Sequence, residues 1–293
     1  MNREQTPLTQ ADFRNPPAHY RAAPFWAWNC KLDGEELERQ IDCFRQMGFG
    51  GFHMHPRTGL DTPYLSEEFL SMVRRCVDKA AGLGMEACLY DEDRWPSGFA
   101  GGFVTREEQY RERHLLWTPT PYREDGSFTP AEHWPTESVR TENGRLLACY
   151  DVELDGDGCL ASYRRLREGE EPRGVRWYAY LETAPCDPWF NGQTYVDTLS
   201  KAAMDRFIGV TYETYRQTVG DQFGKTVPSI FTDEPQSAHK VTLPSADAAA
   251  DAILPWTEDF EQTFRAAYGQ EILDRLPELF WELPEGKVSA TRY

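Results

Sequence analysis

Apolar positions along residues 22–103 change their spacing repeatedly, and the changes predict strands and helices in alternation. Short apolar runs are typical of buried strands, whereas apolar residues three or four apart mark one face of a helix. The predicted strands are 23–29, 50–56 and 85–93. The segments between them have helical spacing and begin at the N-cap candidates Asp33 and Ser66. Strands joined by helices predict parallel βαβ units.

The pattern changes after residue 104 and later returns. Residues 110–185 are rich in Tyr, Trp, Val, Gly and Pro, and DGDG at 155–158 is typical of a hairpin turn, so an antiparallel insertion is predicted after strand three. The α/β pattern then resumes, and PSIFTDEP is predicted to be a strand buried on both faces. The predicted later elements are a helix over 198–219, strand four within 228–235, and helical segments 257–268 and 270–281.

Charge and cysteine content narrow the function classes. The 293-residue chain has a net charge of −17, which argues against nucleic acid as a partner because nucleic-acid-binding surfaces are basic. It has no apolar run near the ~18 residues of a membrane helix and no secretory signal at its N-terminus. None of the seven cysteines forms a C-x-x-C pair. A cytoplasmic protein with neither a membrane nor a nucleic acid as partner is therefore expected; its oligomeric state is not indicated.

Polar side chains lie at the end of each of the four predicted strands. They are Asn29 at the end of strand one, His55 and Arg57 at the end of strand two, Asp91 and Glu92 at the end of strand three, and Asp233 and Glu234 at the end of strand four. Functional sites of parallel α/β folds lie at this edge. A single acid at a strand end is also explained as a helix cap or a solvated loop residue. The hypothesis of a functional site therefore rests on polar residues occurring at all four strand ends. Trp95 adds an aromatic ring, and rings beside carboxylates suit a sugar.

A second hypothesis concerns His53 and His55. Alternate residues of a strand point to one side, so the two imidazoles could share a metal in a TIM-barrel metallohydrolase. Such a site needs a third protein ligand, and most of the other histidines lie outside the predicted strand ends.

Several long motifs resemble glycoside hydrolase family 106 and its relatives. They are PFWAWN (24–29), GFGGFHMHPRTGL (48–60), YLSEEF (64–69), GMEACLYDEDRWPSGFAGG (84–102) and IFTDEP (230–235), with YVDTLS (195–200) and PWTEDFEQTFRAAYG (255–269) in support. The resemblance covers roughly 20–105 and 185–282, and it implies the N-terminal half of a (β/α)8 barrel of the TIM type. Its first four βα units are then expected here, with barrel segments at 1–109 and 186–293 around the 110–185 insertion.

The resemblance also implies an activity. It implies an inverting, calcium-dependent α-L-rhamnosidase with a carbohydrate substrate, in which Glu234 is the general acid. The expected substrate-binding residues are Asn29, His55, Arg57, Asp91, Glu92, Trp95, Asp197 and Asp233. The calcium ligands are not indicated, and the catalytic base is expected on a later strand. A non-catalytic carbohydrate-binding barrel is the alternative, since it would keep the aromatic residues without a functional acid pair.

Overall fold

The computed structural model describes residues 9–123, 139–285 and 287. The chain forms two compact units: unit 1 comprises 1–104 and 205–235, and unit 2 comprises 105–204 and 236–293. This grouping differs from the division expected from the sequence. Residues 236–293 belong to the same unit as the insertion, and the described residues of this range add no strand to the parallel sheet.

Nine strands and six α-helices are present in the described residues. The strands are β1 (Phe25–Trp28), β2 (Gly51–Pro56), β3 (Glu86–Tyr90), β4 (Arg113–Thr118), β5 (Arg145–Leu154), β6 (Leu160–Leu166), β7 (Val175–Thr183), β8 (Ile230–Phe231) and β9 (Ala252–Pro255). The helices are α1 (Gln10–Arg14), α2 (Gly34–Gln46), α3 (Glu67–Leu83), α4 (Lys201–Val210), α5 (Tyr212–Val219) and α6 (Phe260–Tyr268). Short 3-10 turns lie at Ala18–Tyr20, Ala100–Gly102, Glu108–Tyr110, Pro188–Phe190, Gly220–Gln222, Ile272–Asp274 and Leu276–Leu279. None of the described helices has the length and apolarity needed to span a membrane.

Unit 1 contains a parallel sheet in the order β1-β2-β3-β8. The prediction of four adjacent parallel strands in chain order is therefore confirmed. Both predicted N-caps form as well, since Asp33 accepts a hydrogen bond from the Glu36 amide and Ser66 accepts one from the Phe69 amide. The helices bury their apolar faces in a core that includes Ile41. No closed barrel is present among the described residues, so a complete TIM barrel is not confirmed.

The sheet of unit 1 is strongly curved. Strands of a flat sheet lie ~4.8 Å apart, so side chains on β1 and β8 would be separated by about 14 Å. The ring centroids of Phe25 on β1 and Phe231 on β8 are instead 5.0 Å apart. The two outer strands therefore turn toward each other on the face that carries these rings.

The prediction that the PSIFTDEP strand is buried on both faces is wrong. Only Ile230 and Phe231 pair as a strand, and the Phe231 side chain is 37% exposed. Phe25 on the opposite outer strand is 51% exposed. Each of these strands has one neighbour within the sheet. On the concave face the rings of His53 and His55 pack against Phe25, and the ring of Tyr90 packs against Phe231.

Unit 2 contains an antiparallel sheet in the order β6-β5-β7-β4-β9. The predicted insertion and its hairpin are confirmed, with Gly158 in the left-handed region at φ +81° and its N–H donating to the Asp155 carbonyl. β9 was not predicted, and it pairs with β4.

The predicted helix 270–281 is wrong, because two 3-10 turns take its place, with Pro277 inside the second. The predicted helix 198–219 is divided into α4 and α5.

A buried polar cluster joins the sheet of unit 2 to the segment that follows residue 139. The Glu182 carboxylate accepts hydrogen bonds from His114 Nε2 (3.0 Å), Tyr122 Oη (2.9 Å), the Thr141 amide (2.7 Å) and the Glu142 amide (2.8 Å). Burial raises the pKa of Glu182, but these donors outweigh it and hold that pKa below its usual range. The carboxylate thus satisfies several donors that would otherwise be buried without partners.

Candidate active site at the strand ends

The parallel strands of unit 1 bring most of the predicted site residues to one edge of the sheet. The Arg57 amide donates to the Trp28 carbonyl (3.1 Å), and the Asp91 amide donates to the Phe231 carbonyl (3.2 Å). The Ser97 amide donates to the Asp233 carbonyl (2.9 Å). These bonds fix the loops after β1, β2, β3 and β8 next to one another. Asp197 is the exception, because it belongs to unit 2.

Asp91 is completely buried behind this edge. Its Oδ1 accepts a hydrogen bond from Ser97 Oγ (2.6 Å), and its Oδ2 accepts one from Tyr212 Oη (2.7 Å). Burial raises the pKa of Asp91 in spite of these donors. The side chain was predicted to bind sugar hydroxyls. In the structure both of its oxygens are occupied by the protein, so Asp91 supports the site and does not line it.

Glu92 is also completely buried, inside the turn that follows β3. Its Oε1 accepts from the amides of Asp93 (2.9 Å) and Gly101 (2.7 Å), and its Oε2 accepts from those of Gly98 (3.1 Å) and Ala100 (2.5 Å). Burial raises the pKa of this carboxyl, and the amide donors oppose that effect. Glu92 was also predicted to contact sugar. Its carboxylate instead organises the turn, and the flanking glycines allow the backbone to wrap around it.

Asp233 and Glu234 follow β8 and differ in environment. Asp233 is half-buried and accepts a hydrogen bond from Tyr90 Oη (2.7 Å), while its amide donates to Ser97 Oγ (2.9 Å). Burial, followed by this bond to Asp233, raises the pKa of Tyr90, so the phenol remains a donor at neutral pH. Asp233 is thus a fixed acceptor at the border between the core and the site.

Glu234 is exposed and has a strained backbone, with φ at +42°. A residue with a Cβ seldom adopts this region, and such positions cluster at functional sites. Its Oε2 accepts a hydrogen bond from Trp95 Nε1 (3.0 Å), whereas its Oε1 has no hydrogen-bond partner among the described residues. The structure presents an exposed carboxylate held at one oxygen.

The other predicted binding residues surround the exposed side of the edge. Asn29 and Arg57 are exposed, and Trp95 is partly exposed. His55 is 7% exposed, with its ring 4.1 Å from that of Tyr90 between centroids. Burial, assisted by the charge of Arg57, lowers the pKa of His55 to about 4, so its imidazole is neutral at pH 7. A neutral imidazole offers one donor and one acceptor.

The metal hypotheses have no support in the geometry. No group of three or more His, Cys, Asp or Glu side chains is placed to hold a metal ion in residues 9–123, 139–285 and 287. His53 contacts the Ala23 carbonyl through Nδ1 (3.2 Å), and its ring lies 4.9 Å from that of Phe25. The described residues therefore offer no third ligand to His53 and His55, and no assembled carboxylate site for the calcium that the resemblance implies.

Asp197 forms part of a carboxyl pair in unit 2. Thr257 Oγ1 (2.7 Å) and the Leu199 amide (3.1 Å) donate to its carboxylate, and burial raises its pKa to about 6. Arg111 pairs with Val196 in an antiparallel bridge, which places the side chains of Glu112 and Asp197 on the same side. Burial and the charge of Asp197 raise the pKa of Glu112 to about 8.

Three residues that support the site were not predicted. Tyr90, Ser97 and Tyr212 form the hydrogen bonds to Asp233 and Asp91 described above. Tyr212 is separated from Asp91 by more than a hundred residues in the sequence, and helical spacing alone indicates only which face of its helix is apolar. Ser97 lies in the glycine-rich turn, whose sequence indicated a loop but not its contacts.

Comparison with known proteins identifies a fold but no family. No profile of a known protein family and no curated protein matches the sequence. Among solved structures, the chain is similar to the structure of rhamnosidase from Novosphingobium sp. PP1Y, with a TM-score of 0.53 and 12% sequence identity. The similarity covers 95% of this chain and 43% of that chain, so this chain spans less than half the length of that enzyme. At this identity the similarity shows the fold alone.

Proposed function

We propose that the strand-end edge of unit 1 is the acid-catalyst side of a glycoside hydrolase site, with Glu234 as the general acid. The observation that carries the proposal is the combination found at Glu234: a strained backbone, an exposed carboxyl, and one oxygen fixed by Trp95. A fixed carboxyl with one open oxygen is suited to proton transfer, because the donor must hold its position beside the leaving group.

The proposed substrate is an α-L-rhamnoside, and the mechanism is inverting. Both details come from the family resemblance, and the fold similarity to a rhamnosidase supports the general class. Glu234 would donate its proton from Oε1 to the glycosidic oxygen as the bond to the anomeric carbon breaks and the bonding electrons pass to that oxygen. Water would attack the opposite face of the sugar and lose a proton to a second carboxylate, ~6.5–9.5 Å from the acid.

The residues around Glu234 would bind and orient the sugar. The partly exposed indole of Trp95 offers a ring edge or face for apolar C–H groups, and Arg57 and Asn29 offer donors to hydroxyls. Asp91 and Glu92 would act as positioning residues through the buried bonds that hold Ser97 and the 97–101 turn. The second carboxylate is expected from a later strand of the family's barrel, because these two buried acids are already engaged.

Ligand binding tests the proposal without requiring turnover. The 293-residue chain is titrated with 4-nitrophenyl α-L-rhamnoside by calorimetry, with 4-nitrophenyl β-D-glucoside for comparison. We expect saturable binding of the rhamnoside that Arg57→Ala weakens about tenfold, which corresponds to loss of a charged hydrogen bond. Arg167→Ala is the matched control, since Arg167 is an exposed arginine of unit 2.

Three outcomes bear on the proposal. Binding that Arg57→Ala weakens and Arg167→Ala does not would support a ligand site at the strand ends. Absence of rhamnoside binding, or equal binding by both variants, would contradict it. Saturable rhamnoside binding in a protein whose turnover of glycosides is not detected in any form would favour the alternative of a non-catalytic carbohydrate-binding fold.

A further inference from the structure

A cavity of about 510 Å³ lies within unit 2, and nothing in the proposed function uses it. Val152 and Trp177 line it from the sheet, Trp281 lines it from the C-terminal segment, and small residues of the 246–249 segment complete the wall. The rings of Trp177 and Trp281 meet edge to face, with centroids 5.1 Å apart. The volume lies within the ~300–1,000 Å³ range of small-molecule sites.

The shape of the cavity depends on fixed backbone positions. Trp281 Nε1 donates to the Ala246 carbonyl (2.8 Å), which anchors the 246–249 segment to the C-terminal part of the unit. The amides of Arg173 and Gly174 donate to the Asp151 carboxylate at 2.8–3.0 Å, which fixes the chain where it enters β7. A Cβ at Gly174 would lie 2.3 Å from the Val152 carbonyl oxygen, so the close approach requires glycine.

Charged groups of both signs lie on the cavity wall. Arg173 is exposed, and its guanidinium has no hydrogen-bond or ion-pair partner among the described residues. Glu153 accepts one hydrogen bond from Ser162 Oγ (2.8 Å), and Asp247 accepts one from Ser245 Oγ (2.7 Å). Each carboxylate therefore retains acceptor capacity, because an ionised carboxylate has about four lone-pair positions.

We propose that this cavity binds a neutral pyranoside of mono- to disaccharide size. Hydroxyl groups both donate and accept, so one ligand can use the Arg173 guanidinium and the Glu153 and Asp247 carboxylates together. An anionic ligand would be repelled by the two carboxylates, and a simple cation would leave the Arg173 guanidinium without an acceptor. The exposed Val175 and the half-buried Leu154 supply apolar surface on the wall, which suits the C–H groups of a sugar ring.

The inference is independent of the site in unit 1, because it uses a different set of residues within a different unit. It is tested on the whole chain with methyl α-L-rhamnopyranoside, methyl β-D-glucopyranoside and methyl β-D-galactopyranoside. Benzoate and benzylammonium are the charged comparison probes. The indole N–H signals of Trp177 and Trp281 are followed by NMR, so that binding is assigned to this cavity.

Two variants and their controls locate the site. Val175→Trp fills the cavity from its exposed wall position on β7, and Leu146→Trp places the same side chain at another exposed strand position of the sheet. Arg173→Ala removes the unpaired donor. We expect saturable indole shifts with at least one glycoside at ~10 mM or below, weakened about tenfold by Val175→Trp and Arg173→Ala and unchanged by Leu146→Trp or Arg57→Ala.

Several results would overturn the inference. One is the absence of indole shifts with all three glycosides at ~10 mM. Another is binding that Val175→Trp and Arg173→Ala leave unchanged. Preferential binding of benzoate or benzylammonium would assign the cavity to a charged ligand instead. Loss of binding in Leu146→Trp as well would attribute the effect to the fold of the sheet, and the pyranoside site would be rejected.

Discussion

Replacing Glu112 with glutamine should stabilise unit 2 at neutral pH, because the native carboxyl is costly to ionise. Glu112 is half-buried, and its side chain lies on the same side of an antiparallel pair as Asp197. Burial and Asp197 raise its pKa from 4.5 to about 8, and burial raises the pKa of Asp197 from 3.8 to about 6. The folded chain therefore holds these protons more tightly than the unfolded chain does.

The sign of the pH dependence follows from these raised values. The stability contributed by the protonated pair is fully present below the unfolded-state pKa values and is lost as pH rises through the folded-state values. The window runs from about pH 4 to about pH 8. One pKa unit corresponds to about 1.4 kcal/mol, so ionisation of Glu112 accounts for about 2–3 kcal/mol of lost stability between pH 5 and pH 7.

The glutamine variant removes the ionisation at residue 112 and keeps the side chain's shape. We expect Glu112→Gln to be about 2 kcal/mol more stable than the native chain at pH 7 and nearly equal to it at pH 4.5. Urea unfolding is followed by tryptophan fluorescence, to which Trp117, Trp177 and Trp281 of unit 2 contribute. Glu168→Gln, at an exposed position of unit 2, is the control and should stay within ~0.5 kcal/mol of the native chain.

The result that would refute this reasoning is a destabilised Glu112→Gln variant at pH 7, or one whose stability changes with pH as much as that of the native chain. Either result would mean that Glu112 is ionised in the folded chain at neutral pH and stabilised by a partner. An equal gain in Glu168→Gln would instead attribute the effect to the net charge of −17.

Three further predictions follow from the two units. In a form of the protein that turns over glycosides, Glu234→Gln should lower the hydrolysis rate ~10²–10⁴-fold, and by a smaller factor for substrates whose leaving group is acidic. An equal loss of rate on substrates with acidic and with ordinary leaving groups would contradict the acid role. The 293-residue chain alone should release no 4-nitrophenol from aryl glycosides, because Asp91 and Glu92 are engaged; robust turnover lost on their mutation would place the base here. Glu182→Ala should cost about 3–5 kcal/mol in urea unfolding, since it leaves several buried donors unpaired, and a loss no larger than that of Glu168→Gln would show that the cluster is dispensable.

The sequence by itself determined the parallel sheet and the edge at which its polar residues gather. Apolar spacing is a local property, and it identified β1, β2 and β3 together with the helices between them. Glycine and N-cap positions such as Ser66 added the helix ends, since capping depends on neighbouring residues only. Because parallel strands share one polar edge, the positions of Asn29, Arg57 and Glu234 followed from the strand order.

Tertiary structure alone decided which polar residues face solvent at that edge. Asp91 and Glu234 are both carboxylic acids that follow a strand, and their local sequence does not indicate which of them is exposed. The structure buries Asp91 against Ser97 and Tyr212 and leaves Glu234 exposed beside Trp95. Hydrogen bonds between residues far apart in the chain make this distinction, and no local pattern encodes them.

The grouping of the chain into two units was likewise decided by tertiary contacts. β9 is a four-residue run that has no strong strand signal of its own, and it becomes a strand because β4 offers an unpaired edge. β8 has only two paired residues and is exposed because no further strand covers it in the sheet. Local composition determines whether a segment is able to form a strand, but the availability of a neighbour with free backbone groups determines whether it does and how deeply it is buried.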